Sequence, residues 1–206
     1  LSVDDFTEDM HRRKGGIQKG TTPRQEDDLP VFLSGIFNGK TTGAPVAIQF
    51  ENKNTRSGDY EQQRAIPRPG HADFVANKKF GGHEDYRGGG HFSGRLTACL
   101  VAAGVIAKKL IKMAGEKMEV KAAIIEAGGE QDIEKGLQLA INANDSIGGI
   151  IECTATHLPL GLGNPFFNSV ESQISHIVFS IPAIKGIEFG AGFNASKMKG
   201  SEHSDA

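Results

Sequence analysis

Apolar residues occur in two short runs near the start of the chain, at residues 29–37 and 45–52. The runs read LPVFLSGIF and PVAIQFEN, and the segment between them, NGKTTGA, is rich in turn-forming residues. Short apolar runs bounded by turn signals are typical of strands. The pattern therefore predicts two strands joined as a hairpin.

A long helix is predicted over residues 93–115, with Ser93 as its N-cap. From Leu96 to Ala107 it is apolar on nearly every face, which is typical of a helix buried between layers.

Beyond this helix, apolar periods of about two and about 3.6 residues alternate. They predict strands at 118–127, 147–156 and 183–190, and helices at 131–144 and 168–181. Hairpins followed by alternating strands and helices indicate an α/β or α+β fold class. We expect a single domain over residues 1–206, forming an incomplete part of a longer chain.

About forty residues, 52–92, show almost no periodicity. Loops of such length are uncommon in compact domains unless they carry function. We therefore expect the functional site here.

Composition excludes several classes of protein. The net charge is −2, which argues against sequence-independent binding to nucleic acid. No apolar run approaches the roughly 18 residues of a membrane span. Cys99 and Cys153 are the two cysteines, so a reduced, cytoplasmic setting is expected. The chain begins at Leu1 without methionine, which favours a piece of a longer or processed protein.

All eight arginines lie within the first 95 residues. Their planar guanidinium suits carboxylate and phosphate. The segment RGGGHFSGR places Arg87 and Arg95 around three glycines just before the long helix. Bare backbone and helix N–H groups can hold a phosphate there, although a tight turn is an alternative. The segment is neither a Walker loop nor a Rossmann fingerprint.

His71 lies between Arg68 and Asp73, which suits a proton donor or acceptor near neutral pH; an ordinary surface histidine is the alternative. A second basic stretch, residues 10–28, adds Arg13 and Lys19 as possible anion contacts, or is a solvated terminus. A metal site, as in a hydrolase, is a further alternative, although the spacing of its possible ligands matches no common pattern. These residues are His71, Asp73, His83, Glu84, Asp85 and His91.

Several segments together resemble the chorismate synthase family, in the family's order and over most of the chain. They include HRRKGGIQKGTTPRQEDD, FLSGIFNGKTTGAPVAIQFENKNTRSGDY, RPGHADF, KKFGGHEDYRGGGHFSGRLTACLVAAGVIAKKLI, NDSIGGIIECTATHLPLGLGNPFF and IPAIKGIEFGAGF. The resemblance implies a β-α-β sandwich with helices between two antiparallel sheets, and a cytoplasmic homotetramer. It implies a lyase that eliminates phosphate from 5-enolpyruvylshikimate 3-phosphate to give chorismate with reduced FMN. Whether an NADP-dependent flavin reductase activity accompanies it is left open.

The resemblance also assigns residue roles. His71 is similar to the family histidine that protonates the reduced flavin, and the predicted substrate-binding residues are Arg13, Lys19, Arg68 and Arg95. The predicted FMN contacts are His91, Phe92 and Ser93, in HFSGR where the family more often has RSSAR. No metal is implied.

Other family segments have no match here: a GESHG-type segment with a second catalytic histidine, and later NHAGG- and KPTSS-like flavin segments. We therefore expect the isolated 206-residue chain to be inactive or severely impaired. A non-catalytic fragment that binds flavin or phosphate, and a metal-dependent hydrolase, are the alternative functions.

Overall fold

The computed structural model describes residues 1–16, 19–22, 26–53, 66–115 and 117–204. They form two compact units, 1–157 and 158–206. The elements of the first unit are α1 (Thr7–Arg13), β1 (Pro30–Ser34), β2 (Ile36–Phe37), β3 (Lys40–Thr41), β4 (Ala47–Phe50), α2 (Asp73–Phe80), α3 (Thr97–Met113), β5 (Glu119–Ala127), α4 (Ile133–Ala143) and β6 (Gly149–Thr156). The expectation of one domain over the whole chain stays a prediction.

The predicted hairpin near the start of the chain is confirmed. β1 pairs with β4 in antiparallel fashion, and the short strands β2 and β3 pair with each other at its tip. Gly35 has a φ of 79°. A Cβ at Gly35 would lie 2.6 Å from the carbonyl oxygen of Pro45, so the crossing of the two chain segments requires glycine.

The core of the first unit forms where α1, α3 and the β1–β4 sheet meet. Phe6 is fully buried and belongs to a buried cluster with Met10 and with three residues of α3, Ala98, Ala102 and Val105. The Phe6 and Phe32 rings meet edge to face with centroids 5.9 Å apart. This packing fixes the start of α3 against the N-terminal segment, and that is where the site lies.

Helix α3 confirms the predicted helix, but its burial was predicted wrongly. Its buried residues lie on a single stripe, whereas Leu100 and Leu110 are exposed. Helical periodicity shows which side chains are apolar, while their burial depends on which other segments cover them. Ser93, predicted as the N-cap of this helix, instead caps the 3₁₀ turn Gly94–Leu96 that leads into it: its hydroxyl accepts a hydrogen bond at 3.3 Å from the backbone N–H of Arg95, and α3 itself begins at Thr97.

The strands predicted at 118–127 and 147–156 are β5 and β6, which pair antiparallel with a register irregularity between Ile124 and Glu126. Helix α4 lies between them in sequence and contacts β5. Asp132 caps α4 by accepting a hydrogen bond from the N–H of Lys135 at 3.1 Å. Every strand pairing in the described part of the chain is antiparallel, so the α+β class is confirmed.

The second unit contains α5 (Val170–Val178) and α6 (Gly200–His203). The helix predicted at 168–181 is thus confirmed, with Ser169 as its N-cap. The strand predicted at 183–190 is wrong, because these residues form no ladder with any described strand. An apolar run becomes a strand only where a partner satisfies its backbone groups.

The segment 52–92 contains more structure than its sequence predicts. Helix α2 and a 3₁₀ helix, Arg87–Phe92, occupy much of its second half, while residues 54–65 lie outside the described residues. No helix in the described ranges has both the length and the apolar character needed to cross a membrane.

Candidate functional site

The turn from Arg68 to His71 places a guanidinium and an imidazole close together. Gly70 has a φ of 73°, and the N–H of His71 donates to the carbonyl of Arg68 at 3.4 Å. Pro followed by a left-handed glycine is the signature of a type II turn. The sequence RPGH therefore fixes the backbone from which both side chains project.

Arg68 is held by Asp73, the first residue of α2. The guanidinium donates from Nε and Nη2 to the two carboxylate oxygens of Asp73, each at 2.8 Å. The backbone N–H of Arg68 donates to the same carboxylate at 3.1 Å. These hydrogen bonds lower the pKa of Asp73 to about 2, and the bonds from the Arg68 guanidinium make the largest contribution.

This lowered pKa predicts a specific acid sensitivity. Because the pKa of Asp73 is depressed, its contribution to stability is fully present above the ordinary value of 3.8 and is lost as pH falls through about 2. We expect the Asp73 carboxyl carbon to titrate in an NMR experiment with a midpoint of about 2. In an Arg68→Gln variant the midpoint should rise towards 3.8. A wild-type midpoint already near that ordinary value would contradict the pairing.

The glycine turn before α3 is built on left-handed backbone. Gly89 and Gly90 have φ values of 85° and 54°. A Cβ on Gly90 would lie 2.2 Å from the carbonyl oxygen of Asp85. The turn closes on itself at this point, and its geometry determines where Phe92, Ser93 and Arg95 lie.

Arg13 and Arg95 meet at the carboxylate of Asp28. Nη1 of Arg13 donates to Oδ2 of Asp28 at 2.7 Å, and Nη1 of Arg95 donates to Oδ1 at 2.5 Å. The Asp28 side chain is only 3% exposed, and those of Arg13 and Arg95 are 18% and 16% exposed. A buried carboxylate shared by two guanidiniums leaves the three residues with one net positive charge.

A single cavity of about 710 Å³ brings most of the predicted site residues together. Its lining includes Arg13, Arg68, His71, Phe92, Ser93 and Arg95. The lining also includes Lys14 and three carboxylates, those of Glu26, Asp28 and Asp73. Four permanent cations thus face three carboxylates, which moderate the anion-binding character expected from the arginines. Two of these acids, Glu26 and Asp28, were not among the candidate residues of the sequence analysis.

A second, much smaller pocket of about 40 Å³ adjoins this cavity. The two share Ala72, Asp73, Gly89 and Phe92 in their walls, and His91 lines only the smaller one. The His91 ring packs against Phe92 and Phe80 with centroid distances of 4.3 and 5.3 Å. The predicted flavin contacts therefore divide, with Phe92 between the two hollows, Ser93 on the larger and His91 on the smaller.

Two other predicted anion contacts lie away from the cavity. The Lys19 ammonium pairs with Glu134 of α4, and Arg87 pairs with exposed Asp85 at 2.8 Å. The remaining arginines of the sequence analysis include Arg24, Arg56 and Arg64, which lie outside the described residues. Within the described ranges, no three His, Cys, Asp or Glu side chains are arranged to hold a metal ion.

Asp28, like Glu26, is a cavity residue that the sequence analysis missed. It belongs to the acidic run QEDD, which has the composition of a solvated segment. Its neighbour Asp27 is indeed exposed, with 72% of its side chain accessible. The arrangement of four cations around one cavity suits a ligand with several anionic groups.

The sequence profile of the family described as chorismate synthase matches residues 1–206, the whole chain. The chain belongs to the chorismate synthase family. The resemblance found in the motifs is thereby confirmed.

Individual relatives carry the same name. The chain is 65% identical over 206 residues to a chorismate synthase of Chitinophaga pinensis, and it covers 61% of that protein. It is 43% identical to a chorismate synthase of Dehalococcoides mccartyi and 42% identical to one of Thermococcus kodakarensis, covering 63% of each. The chain thus spans a little over three fifths of the length of these curated relatives.

The fold is also that of a chorismate synthase. A crystal structure of chorismate synthase matches with a TM-score of 0.68 at 22% sequence identity, over all of this chain and 65% of the solved one. The fold class predicted from the motifs is confirmed.

Proposed function

We propose that this chain forms the substrate- and flavin-binding part of a chorismate synthase. The enzyme is a lyase that eliminates phosphate from 5-enolpyruvylshikimate 3-phosphate to give chorismate in the presence of reduced FMN. The observation that carries the proposal is the one cavity lined by Arg13, Arg68, His71 and Arg95.

The cavity fits ligands of this kind. Its volume of about 710 Å³ lies within the range usual for small-molecule and cofactor sites. The Phe92 ring and the bare backbone of Gly89 offer an apolar wall for a flat ring system. The residues proposed to hold FMN are His91, Phe92 and Ser93.

The proposed substrate carries a phosphate and two carboxylates, and the guanidiniums suit each of these groups. Arg68 and Arg95 would bind and orient the substrate, and Arg13, whose guanidinium is oriented by Asp28, would add positive charge to the same wall. Such fixed cations stabilise the negative charge that develops on a departing phosphate. Lys19, away from the cavity, is the least supported of the proposed substrate contacts.

His71 would move a proton at its imidazole, which lies beside the Arg68–Asp73 pair. Histidine is the side chain best suited to donate and accept protons near neutral pH. Reduced FMN, when bound, supplies transient electron donation to the allylic system, which side chains cannot provide.

We also propose a homotetramer located in the cytoplasm. Exposed apolar side chains on the paired strands β5 and β6, among them Ile124, Ile150 and Ile151, support association with further protein surface. Both cysteines are unpaired, which agrees with a reducing compartment. Sedimentation analysis of the purified protein tests the assembly.

The activity is best tested in a chimera, because the chain covers 61% of the Chitinophaga pinensis enzyme. These 206 residues replace the aligned segment of that enzyme. We expect the chimera to form chorismate with reduced FMN. The change His71→Ala should lower turnover by about 10²–10⁴-fold, the usual contribution of a positioned acid or base.

His83→Ala is the matched control, since His83 is exposed and lines neither described hollow. It should leave turnover within about twofold, a change too small for a group that transfers a proton. A chimera that binds FMN without forming chorismate, or His71→Ala with unchanged turnover, would contradict the proposal.

A further inference from the structure

Asp28 is buried and has an unusual backbone conformation, although aspartate is usually found on the surface. Its side chain is 3% exposed, and its backbone has a φ of 50°, in the left-handed region that few residues other than glycine adopt. Asp and Asn tolerate that region better than most. Backbone and burial together direct the carboxylate into the wall of the large cavity.

The carboxylate of Asp28 orients two guanidiniums at once. Each of its oxygens accepts from a different arginine, Oδ2 from Arg13 and Oδ1 from Arg95. The two arginines lie 82 positions apart in sequence, one at the end of α1 and the other just before α3. Asp28 therefore joins two segments of the chain where they form the cavity wall.

Further bonds fix the plane of each guanidinium. Nη2 of Arg13 donates to the carbonyl of Arg95 at 3.0 Å, and its Nε donates to the hydroxyl of Thr97 at 3.3 Å. Nη2 of Arg95 donates to the carbonyl of Glu51 at 2.8 Å. These acceptors are neutral. Among the contacts described for the two arginines, Asp28 supplies the one carboxylate that touches both.

Resting on the function proposed above, we propose that Asp28 is a positioning residue that holds Arg13 and Arg95 as a matched pair, so that both guanidiniums meet one anionic group of the ligand. Without the carboxylate between them, the two partly buried guanidiniums would repel each other and turn away. The shared carboxylate removes that repulsion and leaves one net positive charge for the ligand.

Asp28→Asn is the informative variant, because asparagine keeps the size and tolerates the left-handed backbone. Its amide oxygen accepts from one arginine, and its NH₂ group faces the other as a competing donor. A positioning role and a purely electrostatic role for Asp28 then predict opposite changes in the affinity for an anion. Losing a negative charge should tighten anion binding, whereas losing the orientation of a guanidinium should weaken it.

The first measurement uses the 206-residue chain without ligand. NMR of the arginine side chains reports rotation about the guanidinium bonds, and Arg13→Lys and Arg95→Lys assign the signals. We expect restricted rotation for both arginines in the wild type and averaged signals for at least one of them in Asp28→Asn. Restricted signals for both arginines in the variant would overturn the proposal.

The second measurement is the affinity for inorganic phosphate, by titration at a temperature where circular dichroism shows every variant folded. We expect Asp28→Asn to bind about tenfold more weakly, a difference of about 1.4 kcal/mol. Glu26→Gln removes a carboxylate from the same cavity and should bind at least as tightly as the wild type. If Asp28→Asn bound phosphate as tightly as the wild type or more tightly, the positioning role of Asp28 would be ruled out.

If the Asp28→Asn variant does not fold, the Asp28→Glu variant is measured in its place. It keeps the charge and displaces the carboxylate by one methylene, so positioning predicts weaker phosphate binding and charge alone predicts no change. Val105→Ala, a core change away from the cavity, controls for lowered stability. A wild type that binds no phosphate would count against the proposed function, while the guanidinium signals still decide the role of Asp28.

Discussion

Replacing Arg95 by alanine is expected to lower the free energy of unfolding by about 3 kcal/mol, the lower end of the range for breaking a buried ion pair. The change leaves Asp28 buried with only Arg13 opposite it. It also removes the donor to the carbonyl of Glu51, the residue that follows β4. We expect the lower end of this energy range because the Arg13 guanidinium still pairs with the Asp28 carboxylate. Urea unfolding followed by circular dichroism measures the effect.

Arg87→Ala is the matched control, since Arg87 lies on the other side of the same glycine turn. Its ion pair with Asp85 is exposed on both sides, so the change should leave stability nearly unchanged. Phosphate affinity should fall in Arg95→Ala and persist in Arg87→Ala. Equal losses of stability in the two variants would show that the Asp28 contact does not hold the structure together.

Much of the local structure of the site was predictable from short-range chemistry. Pro69 and Gly70 specify the turn that sets Arg68 beside His71. The hydroxyl of Ser93 specifies the start of the helical segment that leads into α3. In each case the determining contact lies within three residues, so the sequence alone contains the information.

The features that were missed depend on contacts between distant segments. Asp28 and Arg95 are 67 positions apart, and nothing in the run EDD distinguishes buried Asp28 from exposed Asp27. The strand predicted at 183–190 has no partner strand among the described residues. The burial of α3 depends on which of its faces other segments cover. Apolar periodicity describes an element by itself, whereas these outcomes depend on its neighbours.

Helix α2 is a different case, because a local signal was available. Three of its apolar residues, 74–76, are consecutive, so the segment shows no amphipathic period, and only Ala76 of its eight residues is buried. Yet Asp73 begins the helix, Lys78 and Lys79 lie in its last turn, and Gly81 ends it in a left-handed conformation. Acidic start, basic end and terminal glycine mark a helix even without an apolar stripe.

The second large effect is expected for Gly90→Ala in the turn that positions Phe92, Ser93 and Arg95. A left-handed backbone costs a residue with a side chain about 1–3 kcal/mol. The new Cβ would in addition lie 2.2 Å from the carbonyl oxygen of Asp85, so the backbone itself must move. We therefore expect a loss of unfolding free energy at or above the upper end of that range, with weakened phosphate binding.

Gly94→Ala tests whether this effect belongs to the closed turn rather than to glycine content. Gly94 lies four residues further on, and a Cβ there would meet no atom within 4 Å. Its φ does not lie in the left-handed region, so alanine should be tolerated with little loss of stability, although Gly94 also lines the large cavity. If Gly90→Ala proved as stable as Gly94→Ala, the carbonyl of Asp85 would not constrain the turn. The glycines would then have no part in placing Arg95 at the cavity wall.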